Sequence, residues 1–227
     1  ATFDPEIVKE FGRIGALEYR AMGLATALSP QADLGTEPRW FRTYGTFGED
    51  PALAADMVKA YVDGFQTSSP EAAIEGAWGY ESVNCMTKHW PGGGSGEGGR
   101  DAHFCFGKYS VYPGNALEDQ IKPFVDGAFD LEDGTKTTSA IMPYYTISYN
   151  VDPTGGNVGN SYSQYIIRDL LRGKYGYDEV ICTDWAVTHD YYVVEDAHGK
   201  CWGYETATEA ERHFAILLAG VDQFGGN

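Results

Sequence analysis

Glu179-Val180-Ile181-Cys182-Thr183-Asp184-Trp185 is the stretch on which the fold turns. An apolar run of strand length ends in a carboxylate and an indole. Helical periodicity precedes it over residues 163–175 and returns over 207–218. That order predicts a parallel sheet of short apolar strands covered by helices. Working outward, the unit recurs. Residues 139–145 read as a strand behind a helix over 117–129. Residues 83–90 read as another, behind a helix begun by Asp50-Pro51 that keeps Leu53, Met57, Val58, Tyr61 and Phe65 on one side. Residues 24–32 form a strand-like run, behind a helix opened by Phe3-Asp4-Pro5 and striped by Ile7, Val8, Phe11, Ile14 and Leu17. Residues 220–224 make a last strand, and 68–79 read as linker.

Five strands with four helical connections suit an open doubly wound sheet or part of a (β/α)8 barrel. The barrel is favoured, because Asp33, Lys88-His89, Tyr145 and Asp184 all fall just after strands. In a barrel those strand ends open onto one face, where chemistry occurs. A full barrel needs eight strands and ~250 residues. The expectation is therefore an α/β chain forming an incomplete (β/α)8 TIM-type barrel of about five βα units, cut at both ends.

Composition narrows the partners. The 227 residues carry a formal charge of −17, which opposes phosphate backbones and anionic membranes, so neither nucleic acid nor a membrane is expected as partner. No run approaches the ~20 apolar residues needed to span a bilayer. Glycine is abundant, 29 residues against a usual ~7%, and aromatics reach 14%. Glycine-rich loops lined with aromatics suit a neutral, ring-shaped ligand. Four cysteines are too few for a disulfide scaffold. Cys85 and Cys182 lie in apolar runs and read as buried, whereas Cys105 and Cys201 lie in loops and could pair.

The candidates for chemistry follow from position. Asp184, directly after a buried run, is placed to act as nucleophile on a sugar carbon, with Trp185 as a flat apolar wall; an N-cap role is equally compatible with the spacing. Lys88-His89 can donate to adjacent hydroxyls and keep a carboxylate ionised, or can be a salt-bridged lysine beside a packed histidine. In Arg39-Trp40-Phe41-Arg42 one arginine can fork onto hydroxyls while the other pairs with Asp33 or Glu37. Of Tyr144 and Tyr145, one should face the core and one the cleft. Residues 92–99, glycine-rich but without a G-K-[ST] ending, read as a flexible loop bordering a cleft. Asp101 and His103 are possible metal ligands without a matching third.

Taken in order, these motifs resemble the glycoside hydrolase family 3 β-glucosidases. They are Ser29-Pro30-Gln31-Ala32-Asp33, Glu37 to Arg42, Thr46 to Pro51, Lys88 to Gly94, Asp101-Ala102-His103-Phe104, Val111-Tyr112-Pro113-Gly114 and Thr183-Asp184-Trp185. The resemblance implies a portion of the family's N-terminal catalytic barrel over residues 1–227, without its first strands and without the following α/β sandwich domain. It implies a retaining, exo-acting β-glucosidase that cleaves terminal β-D-glucosyl residues through a covalent glycosyl-Asp intermediate. Asp184 matches the nucleophile. Arg42, Lys88, His89 and Tyr145 match substrate ligands, and Trp185 matches a leaving-group wall. The acid/base residue is expected outside these residues. No cofactor or metal is implied. β-N-Acetylglucosaminidases of the same family, which carry an Asp–His acid/base pair after Lys-His, remain an alternative that Asp101-Ala102-His103 would serve. A β-xylosidase and a non-catalytic glycan-binding barrel are the others. An acidic chain acting on glycans is expected in the periplasm or outside the cell.

Overall fold

The computed structural model describes residues 2–190 and 199–226. Its centre is a parallel sheet of strands Thr26–Ala27, Asn84–Trp90, Ala140–Pro143 and Val180–Ile181, each paired with the next one along the chain. A further parallel pairing of Cys182 with Gln223 adds the edge expected at 220–224, as a single bridge. Strand order never reverses. A doubly wound sheet requires a reversal, so the sheet is wound in one direction, as in a (β/α)8 barrel.

Side-chain alternation then sorts the residues. Cys85, Ile141 and Ile181 point to the helices and join the main core with Val58, Phe124, Ile167 and Ile216. Met86, Ala140, Met142 and Cys182 form a separate cluster on the other face, the inside of the curl. Two residues beyond Met86 and Cys182, the same alternation brings Lys88 and Asp184 to this end of the sheet. The strand pitch itself thus stacks the polar layer on top of the apolar one.

The helices Pro5–Ala21, Pro51–Gln66 and Glu209–Ala219 start where capping chemistry places them. Asp4 and Asp50 accept from first-turn backbone N–H groups, each before a proline, and Thr208 forms a capping box with Glu211. The helix expected over 117–129 is α-helical at Leu117–Lys122 and π-helical at Pro123–Ala128, and Tyr165–Lys174 is π-helical too.

Two expectations need correction, those for residues 68–79 and 92–99, and two open readings are completed. The apolar stripe of the first helix is largely exposed, with Phe11 61% and Ile7 53% accessible, because this helix meets Pro51–Gln66 through small residues instead. Gly64 lets the two backbones touch, since a Cβ there would lie 2.2 Å from Lys9 O. Residues 68–79 are not plain linker but contain an antiparallel hairpin, Ala73–Glu75 against Trp78–Gly79, closed by Ser68 N–H donating to Ala77 O at 2.8 Å. Residues 91–96 are buried rather than a loose loop. A Cβ on Gly94 would come within 1.6 Å of Leu34 O, so this stretch is glycine-rich to allow close packing. Finally, Cys105 is exposed and Cys201 buried, and no disulfide joins them; Cys85 and Cys182 are buried as expected. No helix among the described residues is long and apolar enough to cross a membrane.

Candidate active site

Asp184 follows the strand Val180–Ile181 on the inner row and is 8% exposed. Its carboxylate is held asymmetrically. Tyr145 Oη donates to Oδ1 at 2.8 Å and the Trp185 backbone N–H donates to the same oxygen at 2.7 Å. Oδ2 faces His89 Nε2 at 3.9 Å. No helix begins within residues 185–190, so Asp184 does not cap one. Tyr145 lies two residues past the neighbouring strand Ala140–Pro143, and its phenol is pushed well above the ordinary range by burial, then by the Asp184 charge. It therefore stays a proton donor to Asp184 at any ordinary pH.

His89 is the second anchor. The register of Asn84–Trp90 against Ala140–Pro143 shifts between Lys88 and Trp90, and such a bulge re-aims a side chain. Both Lys88 and His89 are thereby turned toward Asp184. Asp33 fixes the imidazole: His89 Nδ1 lies 2.7 Å from Asp33 Oδ2, while Asp33 Oδ1 accepts from His89 N at 3.0 Å and Gly93 N at 2.5 Å. Burial alone would raise the Asp33 carboxyl. The His89 charge and these hydrogen bonds outweigh it and hold Asp33 below the usual carboxylate range. Asp33 thereby orients the imidazole, with Nδ1 turned to its carboxylate and Nε2 aimed into the site, 3.4 Å from Arg42 Nη2. The Gly92–Gly96 backbone is thus part of the site, because Gly93 has no Cβ to keep it off Asp33 Oδ1.

Arg42 and Lys88 complete the pocket. Arg39, not Arg42, pairs with Glu37, at 2.7 and 2.8 Å, and Asp33 pairs with neither arginine. That leaves Arg42 Nη1 buried without a partner, and the Tyr144 hydroxyl likewise. Lys88 makes no ion pair among the described residues; burial lowers its pKa first and the Arg42 charge second, while Asp184 and Asp33 oppose them. Unspent donors beside a carboxylate are what a polyhydroxylated ring requires. Trp185, 39% exposed, stands at the edge of this group. All six residues singled out in the sequence, Arg42, Lys88, His89, Tyr145, Asp184 and Trp185, are drawn into this one neighbourhood.

Two partners were not among them. Asp33 carries the signal that Asp184 carries, an acid directly after an apolar run. Asp101 and His103 form a dyad: His103 Nδ1 lies 2.6 Å from Asp101 Oδ1, and Trp40 Nε1 donates to Asp101 Oδ2 at 3.1 Å. No group of three metal-ligating side chains occurs among the described residues. The His103 ring meets the Tyr145 ring in a T-shape with centres 5.1 Å apart, which puts the dyad beside the Asp184 ligand.

Comparisons with known proteins place the chain in a family. The family model described as glycosyl hydrolase family 3 N terminal domain matches residues 1–222. β-Glucosidase C of Emericella nidulans is 42% identical over 227 residues, covering 98% of this chain and 34% of that protein. A periplasmic β-glucosidase/β-xylosidase of Dickeya chrysanthemi is 41% identical over 242 residues, with 98% and 34% coverage. The chain thus spans about a third of the length of these relatives. In fold it is similar to the Listeria innocua β-glucosidase in complex with glucose, at TM-score 0.76 and 22% identity over 99% of this chain and 27% of that one. A β-N-acetylglucosaminidase from Paenibacillus superposes at TM-score 0.75 and 22% identity, covering 98% of this chain and 36% of that one.

Proposed function

The chain belongs to the family of glycosyl hydrolase family 3 N-terminal domains, and from that premise we propose that the protein is a retaining, exo-acting β-glucosidase. The observation that carries this is the asymmetric clamp on Asp184, with two donors on Oδ1 and Oδ2 turned toward His89. A nucleophile needs one oxygen restrained and the other free to approach carbon. Oδ2 attacks the anomeric carbon and expels the aglycone; water then releases glucose from the glycosyl-Asp184 ester. Lys88, Arg42 and His89 Nε2 hold the hydroxyls of the terminal sugar, and Trp185 flanks the leaving group. Retention calls for a second carboxyl group ~5–5.5 Å from the first. Asp33 is committed to His89 and Gly93 and is not that acid/base. The reaction needs no cofactor. The proposed substrates are β-glucosides or glucan ends, with β-xylosides as a finer alternative, and the proposed compartment is the periplasm or the exterior, in line with relatives named periplasmic.

Incubating the protein with dinitrophenyl 2-deoxy-2-fluoro-β-glucoside and mapping the adduct by mass spectrometry tests this. Label on Asp184 is expected; turnover that survives Asp184→Asn would refute the assignment. One observation favours a second reading. The Asp101–His103 dyad can supply an acid within this chain, as in the β-N-acetylglucosaminidase branch. A preference for 4-nitrophenyl N-acetylglucosaminide over the glucoside, lost in His103→Asn, would select that branch.

A further inference from the structure

Lys200 is 5% exposed, and its Nζ lies 5.3 Å from the centre of the Tyr145 ring, whose hydroxyl donates to Asp184 Oδ1. We propose that Lys200 is a positioning residue: its ammonium, seated on the face of Tyr145, fixes the phenol that clamps Asp184 Oδ1 and so keeps Oδ2 aimed for attack. The word attack rests on the glycosidase reading above; the coupling from Lys200 through Tyr145 to Asp184 does not.

A buried ammonium is costly unless its surroundings compensate it. A ring face attracts a cation through its quadrupole, most strongly when water is excluded. The cation in turn draws density from the ring and makes the phenol a better donor, which suits a hydroxyl already shared with a carboxylate. The ring is also held from a second element, since His103 meets it in a T-shape.

The chain ties down the segment that delivers Lys200. Gly159 N–H donates to Trp202 O at 2.9 Å, next to the bridge between Ile147 and Gly159. Lys108 pairs with Glu205 at 2.9 Å and lies 5.4 Å from the Trp202 ring centre. Arg212 donates to Tyr204 O at 3.0 Å and Glu205 O at 2.9 Å from the helix Glu209–Ala219. Three segments therefore fix residues 202–205, next to Lys200, beside the stretch that carries Tyr145. A lysine serving only to fill space there would tolerate methionine. One serving by charge would tolerate arginine and not methionine.

The test uses the full protein with 13Cζ-labelled tyrosine and the variants Lys200→Met, Lys200→Arg and Tyr145→Phe. The Tyr145 resonance is identified by its loss in Tyr145→Phe. We expect it to shift in Lys200→Met and to return toward the native position in Lys200→Arg. An unmoved resonance in Lys200→Met overturns the proposal. The second readout is the rate at which the 2-fluoro glucoside labels Asp184. Lys200→Met should be about tenfold slower and Lys200→Arg within about threefold of native. In the Tyr145→Phe background Lys200→Met should cost nothing more. Native-like labelling in Lys200→Met, or fully additive losses, overturns the proposal. A native protein whose Tyr145 resonance responds to Lys200 but which never labels at Asp184 refutes the glycosidase reading and leaves the coupling standing. Should Lys200→Met fail to fold, Lys200→Gln against Lys200→Arg carries both readouts.

Discussion

Two buried carboxylates, one at each end of the sheet, behave in opposite ways. Asp33 and Asp63 are both sealed from solvent. Asp33 lies at the strand ends that open on Asp184 and is held below the usual carboxylate range by His89 and Gly93. Asp63 sits near the end of helix Pro51–Gln66, where the chain turns into the strand Asn84–Trp90. It accepts from Glu132 N and Asp133 N at 3.1 and 3.2 Å. Burial raises its pKa, the two backbone donors do not undo that, the Asp133 charge adds to it, and the opposing Lys9 charge is the weakest of these influences. Depth alone therefore does not decide ionisation. A positive partner at fixed distance does. Asp33 is a charge that the site can use through His89, whereas Asp63 pegs a loop.

The largest effect is expected at Asp33. In Asp33→Asn the amide oxygen can still accept from His89 N and Gly93 N, but its NH2 faces His89 Nδ1. The amide NH2 requires Nδ1 to accept, which leaves the ring proton on Nε2, against the Arg42 guanidinium. We expect kcat/KM on an aryl β-glucoside to fall about 10³–10⁴-fold, the scale of a wrong tautomer, with about 1–3 kcal/mol lost in urea unfolding. Asp63→Asn should leave kcat/KM within about twofold. Equal damage from both variants would erase the contrast.

Tyr145→Phe comes next. It removes one of two donors to Asp184 Oδ1 and leaves the Trp185 N–H in place. A hydrogen bond to a charged group contributes about 1.5–3 kcal/mol, so labelling of Asp184 should slow by about 10–100-fold. A loss confined to KM would mean that Tyr145 only binds sugar.

How much of this could be read from the residues alone differs between the same two regions. Asp184, Lys88, His89 and Tyr145 were legible because each follows an apolar run, and strand pitch fixes which end of the sheet they reach. Arg42 came with its motif. The role of Asp33 was not legible, since its link to His89 spans 56 positions and depends on a bulge that no period announces. Lys200 carried no signal, being one lysine in a polar stretch placed by backbone contacts from three other segments. The first helix shows the reverse failure. Its stripe of Ile7, Phe11, Ile14 and Leu17 is a clear period, yet packing follows Gly12 and Ala16, where the backbones can approach. Periodicity reports which face is apolar, not which face finds a neighbour.

The smallest effect gives the sharpest test of the contrast, because it turns on sign. A carboxyl whose folded pKa is depressed stabilises the fold above its unfolded value of ~3.9 and loses that contribution as pH falls through the folded value. Asp33 is of this kind. A carboxyl whose folded pKa is raised contributes most below ~3.9 and loses the contribution as pH rises through the folded value. Asp63 is of this kind. Urea unfolding of native protein, Asp33→Asn and Asp63→Asn at a series of pH values separates them. The deficit of Asp33→Asn should shrink on acidification below about pH 4. That of Asp63→Asn, about 1 kcal/mol or less near neutrality, should grow on acidification. Parallel curves for the two variants would show that both carboxylates answer to burial alone, and the imidazole at position 89 would lose its part in setting the charge of Asp33.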